Sequence, residues 1–287
     1  MKRLLCFFIG LLSSFLAVSA FPMGGKIPNV PMKAYSAIDF PDGEFLHYGD
    51  YHEGEKVTDS YFVTRKEKNN RGGFYYRVYY NIVAVSSRRK LPQNYTNWPA
   101  SFLIDPIQGS LIESTGNFDT NFLKDYESFG VGGLISWHYQ LYEDQGLVRY
   151  TSKFIRNDET ITKNYKISVK PGFPSMDMFS VRLIAGRLLD ADSPGIFFLV
   201  VPGFMKEPIS ASLSHEKGET TLSTKAGKFR VKRVHLVMGD PFIGKLTDSF
   251  MKNMIVLIED SDRRLPIKRQ ILGSEYIIEG ISNVNTR

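Results

Sequence analysis

Alternation of apolar and polar residues over long stretches is the feature that most constrains how this chain can fold. From Phe74 to Ile82, every second residue is aromatic or aliphatic. Successive side chains of a strand point to opposite faces, so a period of two predicts a strand with one buried face. The same pattern returns at 135–141, 148–154, 161–169 and 229–237. So many long strands predict a mainly β protein.

The C-terminal part of the chain predicts three more strands joined by tight turns. An apolar run, Met254–Ile258, precedes the charged turn Glu259–Arg264. Leu265–Ile271 then alternates again, and Gly273-Ser274 reverses the chain once more. Short polar turns between strands are typical of hairpins, whose strands run antiparallel.

One segment is predicted to be helical. It begins near Ser175, which offers an N-cap, and Asp177 lies in the first turn, where a negative charge complements the helix dipole. Apolar residues with helical spacing follow from Met178 to Leu188. We therefore expect a curved, mainly antiparallel sheet, an open or half barrel, with this helix packed on its concave side.

The first twenty residues have the pattern of a secretory signal peptide. Lys2 and Arg3 precede the apolar run Leu4–Val18, and small residues at Val18-Ser19-Ala20 suit signal peptidase. The run is shorter than the roughly 20 apolar residues of a membrane-spanning helix. We expect a periplasmic or otherwise exported protein whose mature form has no transmembrane span.

The remaining chain is predicted to form a single domain. Residues 21–43 are rich in Pro and Gly, which disfavours regular structure and predicts an extended leader. Residues 44–287 then form one antiparallel β-domain. Cys6 is the only cysteine and leaves with the signal peptide, so no disulfide is expected. Stability must therefore come from core burial.

The charge balance argues against a nucleic-acid partner. The formal net charge of +6 falls to +4 when Lys2 and Arg3 are removed. That value is too small for an electrostatic nucleic-acid surface. The segment Gly239–Lys245 has phosphate-loop spacing, but Leu246 stands where Ser or Thr must reach magnesium. We interpret it as a loop between strands and expect no cofactor.

Catalytic and metal-binding spacings are also missing from the sequence. None of the five histidines forms a His-x-His or His-x3-His pair. His47 and His52 are five residues apart, which places them on opposite faces of a continuous strand. No Gly-x-Ser-x-Gly motif occurs. The sequence therefore names no catalytic residue and no metal ligand.

Several short motifs carry a resemblance to a known family. They are Gly43-Glu44-Phe45-Leu46-His47-Tyr48, Asp177 followed by Arg182, Gly227-Lys228-Phe229, and Asp260-Ser261-Asp262-Arg263-Arg264-Leu265-Pro266. They resemble an uncharacterised family of exported Gram-negative bacterial proteins, the domain of unknown function 3108. The resemblance implies export and a β architecture, and it assigns no activity. The expected architecture also resembles periplasmic carriers of lipoproteins and lipids, as an analogy of fold alone.

The aromatic faces of the strands suggest a ligand. A large sheet has more apolar surface than one helix can cover, so a hydrophobic or lipid envelope component is a candidate ligand. The residues expected to bind it are Tyr76, Tyr80, Trp137, Tyr139 and, for an acidic headgroup, Arg182. Two alternatives stay open. One is an assembly factor that binds a protein partner through an edge strand, and the other is an envelope-polymer hydrolase, which needs a carboxylate pair.

Overall fold

A single large sheet dominates the protein. A computed structural model describes residues 39–69, 72–87, 91–118, 134–156, 159–169, 173–177, 179–188, 195–200, 208–238, 255–271 and 274–284. In these residues, sixteen strands belong to one sheet. The strands are β1 (Glu44–His52), β2 (Glu55–Lys68), β3 (Phe74–Ala84), β4 (Ala100–Asp105), β5 (Ser110–Asn117), β6 (Leu134–Tyr142), β7 (Leu147–Arg156), β8 (Glu159–Ser168), β9 (Ser175–Asp177), β10 (Gly195–Val200), β11 (Ile209–His215), β12 (Thr220–Thr224), β13 (Gly227–Met238), β14 (Ile255–Glu259), β15 (Pro266–Ile271) and β16 (Ser274–Asn283).

The first and last strands, β1 and β16, are neighbours at the centre of the sheet. From β1 the chain proceeds to one edge at β8, and from β9 at the other edge it returns to the centre at β16. The strand order runs β8-β7-β6-β5-β4-β3-β2-β1-β16-β15-β14-β13-β11-β10-β9, and β12 forms a hairpin with β13. The pairings are antiparallel except for β9 with β10, which is the one parallel pair in the described part of the chain. The sheet is curved and does not close. The predicted fold class is therefore confirmed.

The alternation in the sequence matches the observed faces. In β3, Tyr76, Val78, Tyr80 and Ile82 are buried, whereas Phe74 at the strand start is half exposed. The hairpins predicted at 135–154 and in the C-terminal region are present as β6–β7 and β14–β16. The inward-facing side chains form one continuous hydrophobic core.

The predicted helix is the element that differs most. Ser175–Asp177 is the short strand β9, so Ser175 is not an N-cap. The α-helix α1 covers only Val181–Ile184 and continues as a 3-10 helix, Ala185–Leu188. The Asp177 side chain accepts hydrogen bonds from the backbone N–H groups of Phe179 and Ser180, at 3.1 and 2.7 Å. Such local bonds compete with helix formation and favour a turn here.

Residues 175–177 and 179–188, which we call the inner segment, lie on the concave side of the sheet, against the hydrophobic core. Leu183 and Ile184 are buried in the core. The 3-10 helix approaches β14 so closely that a Cβ on Gly186 would lie 2.7 Å from Ile258 Cδ1. The predicted packing of a helical element on the concave side is therefore observed, with a much shorter helix. No helix in the described ranges is long and apolar enough to span a membrane.

A buried ion pair anchors the end of the inner segment. Arg187 Nη2 donates to Glu44 Oε2 at 3.1 Å, and the two side chains are only 2% and 3% exposed. Arg187 also donates to the carbonyl of Asp39 and lies 4.0 Å from the centre of the Phe40 ring. Burial raises the pKa of Glu44 and lowers that of Arg187, and the opposite charge of each partner counteracts both shifts.

The same contacts include the last residues of the predicted leader. Phe40 is fully buried, and Gly43 N–H donates to the carbonyl of Thr64 at 2.8 Å. Residues 39–43 thus pack against the domain that was predicted to begin at Glu44. The predicted signal peptide, the rest of the leader and the loop Gly239–Lys245 lie outside the described residues.

Replacing Arg187 with Leu should destabilise the protein strongly. The change removes the hydrogen-bonded partner of the buried Glu44 carboxylate and leaves only Arg263, whose Nη1 is 3.7 Å from Glu44 Oε1. Breaking a buried ion pair on one side costs about 3–5 kcal/mol. Urea denaturation followed by circular dichroism measures the loss in the free energy of unfolding. The double variant Glu44→Leu/Arg187→Leu should recover most of the lost stability, since two apolar side chains replace the pair.

Arg230→Leu is the control. Arg230 is exposed, so its surface ion pairs contribute at most about 1 kcal/mol. Equal losses for Arg187→Leu and Arg230→Leu would contradict the anchoring role.

Candidate functional site

The concave side contains a cluster of polar groups within the aromatic core. It forms where β5, β6 and β7 face the inner segment. We call it the inner polar site, and its members are Ser114, Trp137, Tyr139, Tyr150, Ser152 and Asp177. All six are buried.

Strand register places these side chains together. Trp137 on β6 pairs with Ser152 on β7, and Tyr139 pairs with Tyr150. Residues paired across strands share a face of the sheet, so all four point inward. On the other side of β6, Trp137 pairs with Gly116 of β5, and a Cβ at Gly116 would overlap the indole ring. Glycine at this position leaves the space in which Trp137 lies across β5.

The inner segment covers the site from the concave side. The ring of Phe179 stacks on Trp137 with 3.9 Å between centroids and 9° between planes. The hydroxyls of Tyr139 and Ser175 share a hydrogen bond of 2.7 Å, and Trp137 Nε1 donates to Ser114 Oγ at 2.7 Å. Strand β9 therefore lies against β5 and β6 through side chains, although it pairs with β10.

Asp177 contributes a carboxyl group to this interior. Its Oδ1 accepts the two backbone hydrogen bonds that form the turn before α1. Burial raises the pKa of Asp177 above its usual value of 3.8, and hydrogen bonds from Ser114, Ser180 and Phe179 counteract part of that increase. The site thus holds a carboxyl whose charged form is disfavoured.

Two hydroxyls beside it are buried without a partner. Tyr150 OH and Ser152 Oγ make no hydrogen bond with any described residue. Burial, together with the charge of Asp177, raises the pKa of Tyr150, so its hydroxyl stays neutral and can donate. A buried polar group without a partner costs about 1–3 kcal/mol. The inward-facing hydroxyls of Thr58, Ser60 and Thr64 on β2 are in the same situation within the described residues. The interior therefore has unused hydrogen-bonding capacity.

The structure places four of the five sequence-predicted binding residues in two separate parts of the core. Trp137 and Tyr139 belong to the inner polar site. Tyr76 and Tyr80 lie on β3, which β4 and β5 separate from β6. The Tyr76 hydroxyl donates to Asp39 at 2.6 Å. Arg182 lies in α1, and its side chain is outside the described part of the molecule. Their role in ligand binding stays a prediction.

The polar members of the site were not predicted from the sequence. Ser152 follows the inward alternation of β7, between Tyr150 and Phe154, and Ser114 lies at an inward position of β5. A small polar residue in a row of inward positions that is otherwise aromatic is the sequence signal that could have identified them. Asp177 was assigned to a helix, so its burial opposite β6 was not foreseen.

A second cluster lies on the outer face of the sheet, where β1, β2 and β16 meet. We call it the outer ion cluster, and its members are His47, Tyr51, Lys56, Asp59, Lys225 and Glu279. Glu279 is at its centre. The carboxylate accepts from Lys56 at 2.6 Å, from Lys225 at 2.7 Å and from the Tyr51 hydroxyl. His47 Nε2 lies 2.5 Å from Asp59 Oδ1, and Lys56 also pairs with Asp59.

A β-bulge directs Glu279 into this cluster. The register of β1 and β16 shifts between His47 and Tyr48, and Glu279 is the additional residue on β16. A Cβ on Gly49 would lie 2.8 Å from Glu279 Oε1, so glycine lets this side chain lie across β1. Hydrogen bonds from Lys225, Lys56 and Tyr51 outweigh the effect of burial and lower the pKa of Glu279 to about 2.

That low pKa bears on the hydrolase alternative. Asp59 and Glu279 are two carboxylates in close proximity. A glycosidase needs one of its two carboxyl groups protonated at the working pH so that it can act as the general acid. Glu279 is ionised at neutral pH and is held by two lysines, so it cannot supply that proton.

Comparisons with known proteins give only distant likenesses. No family profile matches the chain, and no curated protein matches it. A protein thought to be exported, with a YmcC-like fold, from Bacteroides fragilis is 12% identical over 88% of this chain and 100% of its own, with a TM-score of 0.36. A β-barrel-like protein of the domain of unknown function 1849 from Brucella abortus is 8% identical over 84% and 98%, with a TM-score of 0.33. A protein thought to be a lipoprotein from Parabacteroides distasonis is 8% identical over 88% and 100%, with a TM-score of 0.32. The resemblance to the domain of unknown function 3108 stays a prediction.

The buried carboxyl of Asp177 should make stability depend on pH. Its folded-state pKa is above 3.8, so ionisation opposes folding as pH rises from that value through the folded pKa. Asp177→Asn keeps the side-chain oxygen that accepts from Ser180 and removes the charge. We expect the free energy of unfolding of the wild type to fall relative to that of Asp177→Asn across this window. Urea denaturation at a series of pH values measures the difference.

The Asp177→Ala variant is the comparison for that experiment. It removes both the charge and the hydrogen-bond acceptor, so it should be less stable than Asp177→Asn by about 1 kcal/mol at every pH. A wild type that differs from Asp177→Asn by the same amount at all pH values would show that the carboxyl does not titrate in the folded interior.

Proposed function

We propose that this protein is an exported, non-enzymatic binding protein, and that its ligand is an amphipathic, lipid-like component of the cell envelope. The ligand binds on the concave side of the sheet. The observation that supports this function is the pair of hydroxyls of Tyr150 and Ser152. Both are buried on β7 and have no partner in the described residues, and Tyr150 is close enough to the Asp177 carboxyl for its charge to raise the tyrosine pKa.

Unpaired polar groups are uncommon in a core that serves only stability. Buried polar atoms almost always have hydrogen-bond partners, and each exception requires an explanation. Three of the exceptions, Tyr150 OH, Ser152 Oγ and Asp177 Oδ2, belong to the inner polar site and combine neutral hydroxyl donors with a carboxyl. A ligand with a hydroxyl, amide or amine group can accept from Tyr150 and Ser152 and donate to Asp177. This polar end fixes the orientation of the ligand.

The aromatic core suits the apolar end of such a ligand. Phe62 stacks on Tyr80 at 4.8 Å, and Tyr80 stacks on Phe102 at 5.9 Å, which forms a continuous aromatic row across β2, β3 and β4. Acyl or isoprenoid chains bind to surfaces of this kind through the hydrophobic effect. In this proposal Tyr76 and Tyr80 contact the apolar end, and Trp137 and Tyr139 lie nearer the polar end.

Access to the interior requires the inner segment to move. The Phe179–Trp137 stack and the Tyr139–Ser175 hydrogen bond cover the site. Arg187 anchors the far end of the same segment, so the movement is confined to residues 175–184. Arg182 lies within that stretch, and we propose that it pairs with an acidic headgroup when the segment opens.

Export is part of the proposal. The Lys2-Arg3 charge, the apolar run Leu4–Val18 and the small residues that follow it are typical of secreted proteins. The periplasm is the compartment in which a protein with this leader meets envelope lipids in a Gram-negative cell.

The binding function can be tested with N-phenyl-1-naphthylamine, a fluorescent amphipathic amine that has one N–H donor. The protein lacking residues 1–20 should bind it saturably, and lipids extracted from a bacterial envelope should displace it. Tyr150→Phe removes one unpaired hydroxyl and should leave stability unchanged or higher. It should also weaken lipid displacement about tenfold, equivalent to about 1.4 kcal/mol of lost binding energy.

Tyr48→Phe is the matched control. Its hydroxyl donates to the carbonyl of Pro266 at 2.9 Å, so it is buried and already paired. This variant should lose some stability and keep the wild-type affinity for lipid. The proposal is wrong if the wild type binds no probe, or if Tyr150→Phe and the wild type release it at the same lipid concentration. The second outcome would mean that the hydroxyls only bind structural water.

The edge strand β8 favours a second candidate function, the binding of a protein partner. β8 has a neighbour on one side only among the described strands, and nearly all of its ten residues are exposed or half-exposed. An exposed edge offers backbone donors and acceptors to an added strand. Lys163 and Lys166 discourage pairing with a second β8 and favour an acidic segment.

Site-specific crosslinking tests this second function. A photoreactive residue at Thr162 of β8 should crosslink one protein in the living host, whereas the same residue at Lys217, in an exposed turn, should not. Mass spectrometry identifies the product. No crosslink from Thr162, or the same set of products from both positions, would remove the edge-strand function.

A further inference from the structure

The outer ion cluster contains a set of metal-ligand atoms that no sequence motif indicates. His47 Nε2, one carboxylate oxygen of Asp59 and one of Glu279 all lie within 4.8 Å of one another. They come from three different strands, β1, β2 and β16. One imidazole nitrogen with two carboxylate oxygens is a donor set typical of zinc and related divalent ions.

A cation already occupies the centre of this set. The Lys56 ammonium contacts Asp59 and lies 2.6 Å from Glu279 Oε2, the oxygen that also faces His47 Nε2 at 3.8 Å. Lys56 has a flexible side chain, which is about a quarter exposed and can turn toward solvent. Its charge stabilises the two carboxylates in the way that a bound metal ion would.

We propose that the outer ion cluster is a divalent transition-metal site, with Zn²⁺ as the best-fitting ion. His47 Nε2, Asp59 and Glu279 Oε2 are the ligands, and the Lys56 ammonium leaves when the metal binds. Three protein ligands leave the fourth tetrahedral position to a water molecule. Two carboxylates balance the charge of the ion, so losing the Lys56 contact leaves no uncompensated negative charge.

The surrounding residues hold the ligands in place. Tyr51 and Lys225 both donate to Glu279 Oε1, which leaves Oε2 as the oxygen directed at His47. The imidazole ring of His47 stacks on Tyr61, with 4.7 Å between centroids and 12° between planes. Gly49 provides the space for the Glu279 side chain. Contacts of this kind orient metal ligands before the ion arrives.

Competition between Lys56 and the metal ion gives this proposal a specific signature. Removing a ligand must weaken binding, but removing Lys56 must strengthen it, because the ion no longer displaces a cation. A network that served only stability would respond in the opposite way. Loss of Lys56 would leave two repelling carboxylates and no gain in affinity.

Isothermal titration of the protein lacking residues 1–20 with zinc chloride, in a buffer that does not bind zinc, is the test. The wild type should bind one equivalent. Lys56→Met should bind it at least tenfold more tightly, and His47→Ala at least tenfold more weakly. His52→Ala is the control, since His52 is exposed at the end of the same strand, and it should match the wild type. Co²⁺ in place of Zn²⁺ should give visible absorption bands of a four-coordinate site, and these bands should be absent in His47→Ala.

Two results would overturn the proposal. One is the absence of saturable zinc binding by both the wild type and Lys56→Met. The other is zinc affinity that His47→Ala leaves unchanged. Neither result depends on the lipid-binding function, because the two clusters lie on opposite faces of the sheet and the probe experiment contains no metal.

Discussion

The buried pair of Arg187 and Glu44 is the interaction on which the interior depends. It joins the end of the inner segment to β1 at the centre of the sheet, and the Asp39 carbonyl and the Phe40 ring complete the environment of the guanidinium. An ion pair in this position contributes little net stability compared with apolar side chains. It does require one arrangement, because any shift of the segment leaves a charge unpaired. The concave side is thereby covered in a defined way by a segment with very little regular helix.

The inner face of the sheet combines stacked aromatic rings with polar atoms that have no hydrogen-bond partner among the described residues. Aromatic rings from β2, β3 and β4 stack in a row, while the hydroxyls of Tyr150 and Ser152 and the carboxyl of Asp177 remain within the same core. Aromatic stacking supplies the burial that a chain without disulfides needs. The polar groups reduce that stability, and the combination of two hydroxyl donors with a carboxyl in the inner polar site is the reason to propose a binding role for them.

The strands could be predicted from the sequence, whereas the contacts between residues distant in the chain could not. A period of two is a local signal, and it identified β3, β6–β8, β13 and the C-terminal hairpins as strands. The predicted face is the buried one in β3, β6 and β7, but in β13 the buried residues change from Phe229 and Val231 to Val234, and His235 is exposed. The helix is much shorter than predicted and begins at Val181, not near Ser175, because the residues before it form the strand β9 and a turn. The local bonds of the Asp177 side chain favour a turn.

Four of the five predicted binding residues are inside the core, as expected for inward positions. The outer ion cluster was not predicted, because Glu279 reaches His47 through a bulge in a strand from the far end of the chain.

The adjacency of β1 and β16 has a consequence for the order of folding. The first and last described strands are neighbours in the middle of the sheet, and the N–H of Val284 donates to the carbonyl of Gly43 at 2.7 Å. Most neighbouring strands within the arm β2–β8 and within the arm β9–β15 also follow one another in the chain, but the seam of β1 and β16 joins the first and last described strands. Closing so long a loop costs entropy that only the finished seam repays. We therefore expect the β1–β16 seam to form late in folding, after the hairpins within each arm.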